Sequence, residues 1–437
     1  MVKKVQLGAL EKLYSGLLLV IFGGVVFHAP LSVWLSTAFP QHDLLIKSWK
    51  ELLMGVALVL AVYIVTKRRL WSVFKAPLFL AIGAFAALNV VLVPLYFTGV
   101  EPTLAALLIN LRYFLFFVLV YVAVVAFPFI RRWVVGVFFG GAALAVLFAV
   151  LQATVLPYDI LKYIGYSPNS IVPYLTVDQN MDYIRITGTF RGPNPLGAYM
   201  VMVLAMAAAF LAYKVAAKRW VKWGIGALGV GAFIALWATY ARAAALGAIV
   251  ALSIVALVVY GKRISRAVWV ALGITGLALV GTVVVLYETP FVSQVILHED
   301  PNEGNAVNSN DGHAESLADG ATRMLQQPLG GGVGSTGSPS LLGDEPLIIE
   351  NQYFYVAHEV GWVGLGLFIY ISYTVLIQVW RRRADWLSLA VCASGVGLMV
   401  IGVVLPVWAD DAVSIIWWGL AALALASRLR VVNKTTV

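Results

Sequence analysis

The chain has 437 residues, of which 61% are hydrophobic and only 12% charged, and its mean hydropathy is +0.90. A soluble domain carries roughly 25% charged residues, so this apolar surplus excludes an ordinary soluble enzyme and has to face lipid. The net charge of +9 does not signal a nucleic-acid partner, because the basic residues sit in short clusters between apolar runs, as membrane topology requires.

Lys3, Lys4 and Lys12 precede an apolar run that begins near Tyr14, with no A-x-A type of cleavage site before Pro30. That run reads as a retained first helix rather than a signal peptide. Apolar segments of spanning length lie at about 12–28, 51–66, 77–97, 104–127, 133–155, 194–213, 222–241, 243–260, 267–287, 351–379, 387–406 and 412–427. The expected fold is therefore an all-α polytopic membrane protein of about twelve transmembrane helices, a single transmembrane domain over residues 1–437. Basic clusters such as Lys67 to Arg69, Arg131-Arg132 and Arg381 to Arg383 recur on alternate connections. The positive-inside rule then puts those connections and both termini in the cytoplasm.

Two segments expected on the periplasmic side are too long for simple turns, 156–193 and 288–350, and long ordered loops on a membrane scaffold are usually functional. The second is acidic and ends in a Gly-rich stretch from Gly330 to Gly337. Between Gly312 and Gln327 it holds good helix formers, with Asp319 four residues before Arg323, which predicts a short helix outside the bilayer. The single cysteine, Cys392, lies in an apolar segment and excludes a disulfide within the chain or a cysteine-based metal site.

Cations on the outer side run against the topological bias, so each asks for a reason. Lys47, Lys50 and Lys162 are read as snorkelling to headgroups or pairing with outer acids. Arg185 and Arg191 sit in Arg-Ile-Thr-Gly-Thr-Phe-Arg-Gly-Pro-Asn-Pro, where Gly188, Gly192, Pro193 and Pro195 fix a tight backbone course. Pro195 suits the first turn of the following helix with Asn194 as its cap, and a guanidinium held over a helix N-terminus is an anion site. Arg242, among Ala241 and Ala243 to Ala245, is expected to face a cavity where helices pack closely. Arg112 falls about two turns into an apolar segment, where a charge usually faces a polar cavity.

His313 opens the expected loop helix, about 80° around the wheel from Arg323, and is a candidate general base. His28, His42 and His298 read as loop or interfacial residues, and His358, beside Glu359, is a further candidate. Glu350 stands before Asn351-Gln352-Tyr353 at the start of the tenth segment, either as a reactive carboxylate or as a helix cap. Asp410-Asp411 reads as a solvated turn. No Asp-x-Asp occurs in an outer segment, so no metal is expected.

Together these residues resemble the bacterial O-antigen ligases, within the wider ligase and O-antigen polymerase superfamily. The layout matches over nearly the whole chain. The local motifs are Arg185 through Asn194, Arg242 among small residues, and Arg323 followed by Pro328-Leu329-Gly330. A further family pattern is a histidine, then Asn, Ser or Gln, nine residues, and Gly-x-x-Gly. Asn351, Gly361 and Gly364 match in register, but Glu350 stands where the histidine is expected, which leaves Glu350 and His313 both open as the base.

The resemblance implies a glycosyltransferase of the GT-C type in the bacterial inner membrane, needing no metal or other cofactor. It would transfer O-antigen, with inversion, from undecaprenyl diphosphate to a sugar of lipid A-core at the periplasmic face. Arg185, Arg191, Arg242 and Arg323 would hold the diphosphate, His313 or Glu350 would act with Arg191 in catalysis, and Arg112, Asn194, Asn351 and His358 are further site candidates. An O-antigen polymerase, a ligase for protein O-glycans and a membrane transporter are the rival readings. Transporters place such residues near the midplane, whereas here they gather at the outer surface.

Overall fold

A computed structural model of the chain describes residues 7–177, 180–261, 265, 285–286, 289, 292 and 309–426. In chain order the helices are α1 (Ala9–Gly24), α2 (His28–Ala38), α3 (Asp43–Lys47), α4 (Trp49–Lys67), α5 (Pro77–Leu92), α6 (Val100–Ala126) and α7 (Ile130–Thr154). Then come a two-stranded ribbon, β1 (Leu175–Val177) and β2 (Asn180–Arg185), and helices α8 (Pro193–Ala212), α9 (Arg219–Ala238) and α10 (Arg242–Tyr260). Helices α11 (Ser309–Gln326), α12 (Gln352–Trp380), α13 (Trp386–Ile401) and α14 (Asp411–Ala426) complete the described chain.

Eight described spans are long and apolar enough to cross a membrane, the first being α1 and α2 run together through a 3₁₀ turn. Helices α5, α13 and α14 are shorter but equally apolar. The protein is thus a multi-pass, all-α membrane protein. Each expected segment that falls on described residues meets an apolar helix, while the segment at 267–287 lies almost wholly outside them, as does His298. The third segment ends at Leu92 rather than Phe97, because Pro94 cannot continue the hydrogen-bond ladder and restricts the residue before it.

Helix α14 is the axis of the bundle: every residue from Asp411 to Ala426 is buried, as expected of a helix apolar on all sides. Its Trp417 and Trp418 pack edge to face at 5.1 Å, and the Trp417 indole donates to the Val391 carbonyl of α13 at 3.1 Å. Small residues bring other helices into backbone contact. A Cβ added to Gly397 of α13 would lie 2.5 Å from the Gly247 carbonyl oxygen of α10, the close approach that glycine permits in membrane bundles.

The second long segment is ordered where it is described. The predicted helix is present as α11, with the Arg323 Nε donating to Asp319 at 2.7 Å. Behind it, Pro328-Leu329-Gly330 docks into a kink of α12 at Val360-Gly361, where Gly361 has φ +68° and the Trp362 amide donates to the Pro328 carbonyl at 2.9 Å. This explains both motifs at once, since a Cβ at Gly361 would lie 2.5 Å from the Pro328 oxygen. The fully buried Glu359 accepts from Asn110 at 2.5 Å and from the Gly334 amide at 3.1 Å, so a carboxylate inside the bundle fastens the Gly-rich stretch from below.

The first long segment, 156–193, is not only loop. Its antiparallel ribbon pairs Leu175 with Arg185 and Thr176 with Ile184, and the strands are too short for an alternating pattern to declare itself in sequence.

Candidate active site

The ribbon ends on Arg185, whose side chain is a clamp. Its Nε donates to the Thr239 carbonyl at 2.9 Å and its Nη2 to Asn194 Oδ1 at 2.8 Å, joining β2 to the end of α9 and the first turn of α8. Asn194 is therefore not the cap of α8. Gly192 takes that position and Pro193 is the first helical residue, where a missing N–H is no loss. Arg191, one residue before the cap, is exposed and donates to Ser338 Oγ of the Gly-rich stretch at 3.2 Å.

Two cavities meet at Arg191. The smaller, about 290 Å³, lies between the α8 N-terminus (Gly192, Asn194), the loop at Gly337-Ser338, and Glu350. The larger, about 1070 Å³, opens between α2, α4, α6 and the turn before α14, and Arg112 lies in its wall. Arg191 and Asp410 are the residues that line both. Burial, with Asp411 beside it, pushes the Asp410 carboxyl up, while Arg191 and Arg112 pull it partly back. The turn at Asp410-Asp411 is thus not solvated: Asp411 is 8% exposed, and Asp410 accepts from the Val413 amide at 3.1 Å.

The floor of the larger cavity is a buried ionic cluster that the sequence did not disclose. Asp411 is 2.8 Å from Lys50 Nζ, 2.6 Å from Arg112 Nη2 and 3.2 Å from His28 Nε2. Glu51 completes it, 3.2 Å from Lys50 and 3.5 Å from Arg112. Lys50 is 3% exposed and also donates to the Lys47 carbonyl at 3.0 Å, so of its two expected roles it pairs with acids and does not snorkel. The Trp49 indole donates to His28 Nδ1 at 3.0 Å. Because an indole N–H only donates, Nδ1 is the acceptor and the ring proton belongs on Nε2, facing Asp411. His28 is accordingly a member of the cluster and not an interfacial residue.

The remaining candidates are placed as follows. Glu350 lines the smaller cavity with Arg191, its backbone amide donating to Ser316 of α11 at 3.1 Å. It does not cap α12. Asn351 does, accepting from the Tyr353 and Phe354 amides and donating to the Val403 carbonyl. Arg242 is exposed at the start of α10, beside the first turns of α8, and Arg323 lies on α11 in its pair with Asp319. His358 is buried against the Gly-rich stretch, its carbonyl accepting from Gly331 at 2.5 Å. Neither cavity is lined by Arg242, Arg323 or His358. His313 belongs to α11, but its side chain lies outside the described residues. Among the described residues, no three of His, Cys, Asp and Glu converge as a metal site.

In the sequence Lys50 reads as snorkelling or pairing with outer acids and Asp411 as part of a solvated turn, and Glu51 does not stand out, because each alone is an ordinary charge at a helix end. The available signal was joint: they stand at the ends of apolar segments that the alternating topology brings to one level, together with Arg112.

Comparison with known families gives one match. No curated protein sequence matches the chain, whereas the O-antigen ligase family model (Wzy_C) matches residues 227–369. The matched region runs from α9 to the first half of α12 and contains Arg242, Arg323, Glu350 and the docked Pro-Leu-Gly and Gly-x-x-Gly motifs. Over these residues, about a third of the chain, the protein is similar to the O-antigen ligase family.

Proposed function

We propose that the protein is an O-antigen ligase that moves O-antigen polysaccharide from undecaprenyl diphosphate to a sugar of lipid A-core at the periplasmic face of the inner membrane, completing lipopolysaccharide. The observation that carries this reading is Arg191, set before the N-terminus of α8 at the meeting of two cavities, with Glu350 in the wall of one. In the reaction an acceptor hydroxyl attacks the anomeric carbon and the bond to the diphosphate breaks, its electron pair leaving with phosphate. A single displacement of this kind inverts the anomeric centre. Arg191 stabilises the charge that grows on the departing diphosphate, a task preorganised guanidinium and helix-terminal N–H groups perform without proton transfer. Arg185 positions the turn, and Arg242 adds positive charge at the start of α10, beside the first turns of α8, while the charge of Arg323 is balanced by Asp319.

The hydroxyl's proton passes to Glu350 or to His313. Glu350 is favoured by its place in the cavity wall beside Arg191. Glu350→Gln should then lower turnover with little change in donor KM, and His313→Ala should leave turnover standing. The reverse result assigns the base to His313.

A deletion strain tests the reading as a whole. It should accumulate lipid-linked O-antigen while its lipid A-core stays uncapped. Single O-units on lipid A-core, without chains, would make the protein a polymerase. Unchanged lipopolysaccharide would remove both readings.

A further inference from the structure

The ionic cluster under the larger cavity has no explanation in fold stability. Taking charges out of water costs several kcal/mol per ion, and apolar residues of similar volume usually serve as well or better. Its charges cancel: Lys50 and Arg112 oppose Glu51 and Asp411, with His28 neutral through the Trp49 donor. Nearer the mouth, Lys47 is paired with Asp43 at 2.8 Å. The floor of the larger cavity is therefore a set of fixed dipoles and paired charges with no net charge of its own.

Above this floor the wall is rich in groups that both donate and accept. Ser32, Ser36, Thr37, Asn169, Ser170 and Thr189 line it, from α2, the segment before the ribbon and the turn before Arg191. That combination of hydroxyls, amide and carboxylates is the complement of a polyhydroxylated sugar, whose every OH is also donor and acceptor. The smaller cavity is built differently. Its polar end joins the α8 N-terminus, Arg191 and Asn194 to Ser338, Glu350 and Asp410, and the remaining wall is apolar, from Ala198, Ile401, Leu405 and Val413 on or beside the spanning helices.

Resting on the ligase reading, we propose that the larger cavity is the binding site for the acceptor's sugar and the smaller one takes the donor's diphosphate with the first part of its prenyl chain. The two substrates then meet at Arg191 and Asp410, the residues common to both walls. The sizes agree with this division: about 290 Å³ suits a diphosphate and its flanking carbons, whereas 1070 Å³ gives room for several sugar rings.

The test narrows one cavity at a time in the purified full-length protein and measures KM for each lipid substrate separately. Ala105→Trp, on α6, and Asn169→Trp, on an exposed loop, both project bulk into the larger cavity. Ile348→Trp, at an exposed position, narrows the smaller one. The expected result is an acceptor KM raised at least about fivefold by the first two variants, with donor KM unchanged, and the converse for Ile348→Trp. If Ala105→Trp fails to insert, Asn169→Trp decides. A rise in donor KM from filling the larger cavity, or no change in either KM, overturns the assignment while leaving the ligase reading intact. Absence of any transfer by the unaltered protein overturns both.

Discussion

Replacing Asp411 by Asn removes the charge that three side chains share. In the folded protein Lys50 and Arg112 approach it at 2.8 and 2.6 Å, and both are at least nine-tenths buried. With Asp411 neutral, Glu51 alone opposes two cations, and the cluster passes from zero to one net positive charge inside the bundle. Removing one partner of a buried ion pair costs about 3–5 kcal/mol, because the other charge stays buried and uncompensated. Asparagine keeps a carbonyl oxygen for Arg112, which places the expected loss at about 3 kcal/mol, the low end of that range. The assay is thermal unfolding of the purified protein in detergent, with Lys50→Met and the Asp411→Asn, Lys50→Met pair alongside. Each single variant should melt well below the unaltered protein. The double variant, neutral again, should recover much of the loss, giving a coupling that independent sites do not show. An Asp411→Asn protein that melts with the unaltered one, or a double variant whose losses simply add, would refute the cluster as a charge-balanced unit.

Three further predictions follow from the geometry. Arg191→Ala should lower transfer about ten- to hundredfold while the protein still inserts, since a charge-assisted contact is worth about 1.5–3 kcal/mol, and Arg191→Lys should rescue poorly; normal transfer by Arg191→Ala would remove it from the site. Gly361→Ala places a Cβ 2.5 Å from the Pro328 oxygen at a φ of +68°. Left-handed backbone alone costs roughly 1–2 kcal/mol for a residue with a Cβ, so the variant should undock the Pro-Leu-Gly turn and lose transfer. Gly366→Ala, where nothing lies within 4 Å, should melt no lower than the unaltered protein, and equal behaviour of the two variants would dismiss the docking argument. Finally, because its pKa is raised, Asp410 takes up a proton at a higher pH than an ordinary aspartate as the medium is acidified. Protonation removes a negative charge from the wall facing the diphosphate, so donor KM should fall toward acid pH, and Asp410→Asn should show the low KM throughout. A donor KM in Asp410→Asn that still follows pH as before would show that Asp410 is not the titrating group.

Much of this architecture is legible in the sequence for a physical reason. Lipid forces every spanning segment to be apolar and helical, so the helices announce themselves by composition, and Asp319 with Arg323 betrays α11 by helical spacing. Individual functional side chains are less legible, because their partners come from distant segments. Arg185 looks like a phosphate ligand and Asn194 like a helix cap in a Gly- and Pro-rich motif; spacing does not show that the two side chains bond one another, with Arg185 also donating to the Thr239 carbonyl. The Gly-x-x-Gly pattern records a kink that receives a turn more than thirty residues upstream, which spacing alone does not show. Lys50 and Asp411 are about 360 residues apart in sequence, and only packing of α4, α6 and α14 makes them a site.

The central claim is the transfer itself. Purified protein in detergent, given lipid-linked O-antigen polysaccharide and lipid A-core, should form capped lipopolysaccharide with an inverted anomeric linkage. It should do so at the same rate in excess EDTA, since arginines supply the positive charge a metal would otherwise bring. Growth of polysaccharide on the donor lipid with no capped lipid A-core, or activity abolished by EDTA and restored by magnesium or manganese, would contradict the account.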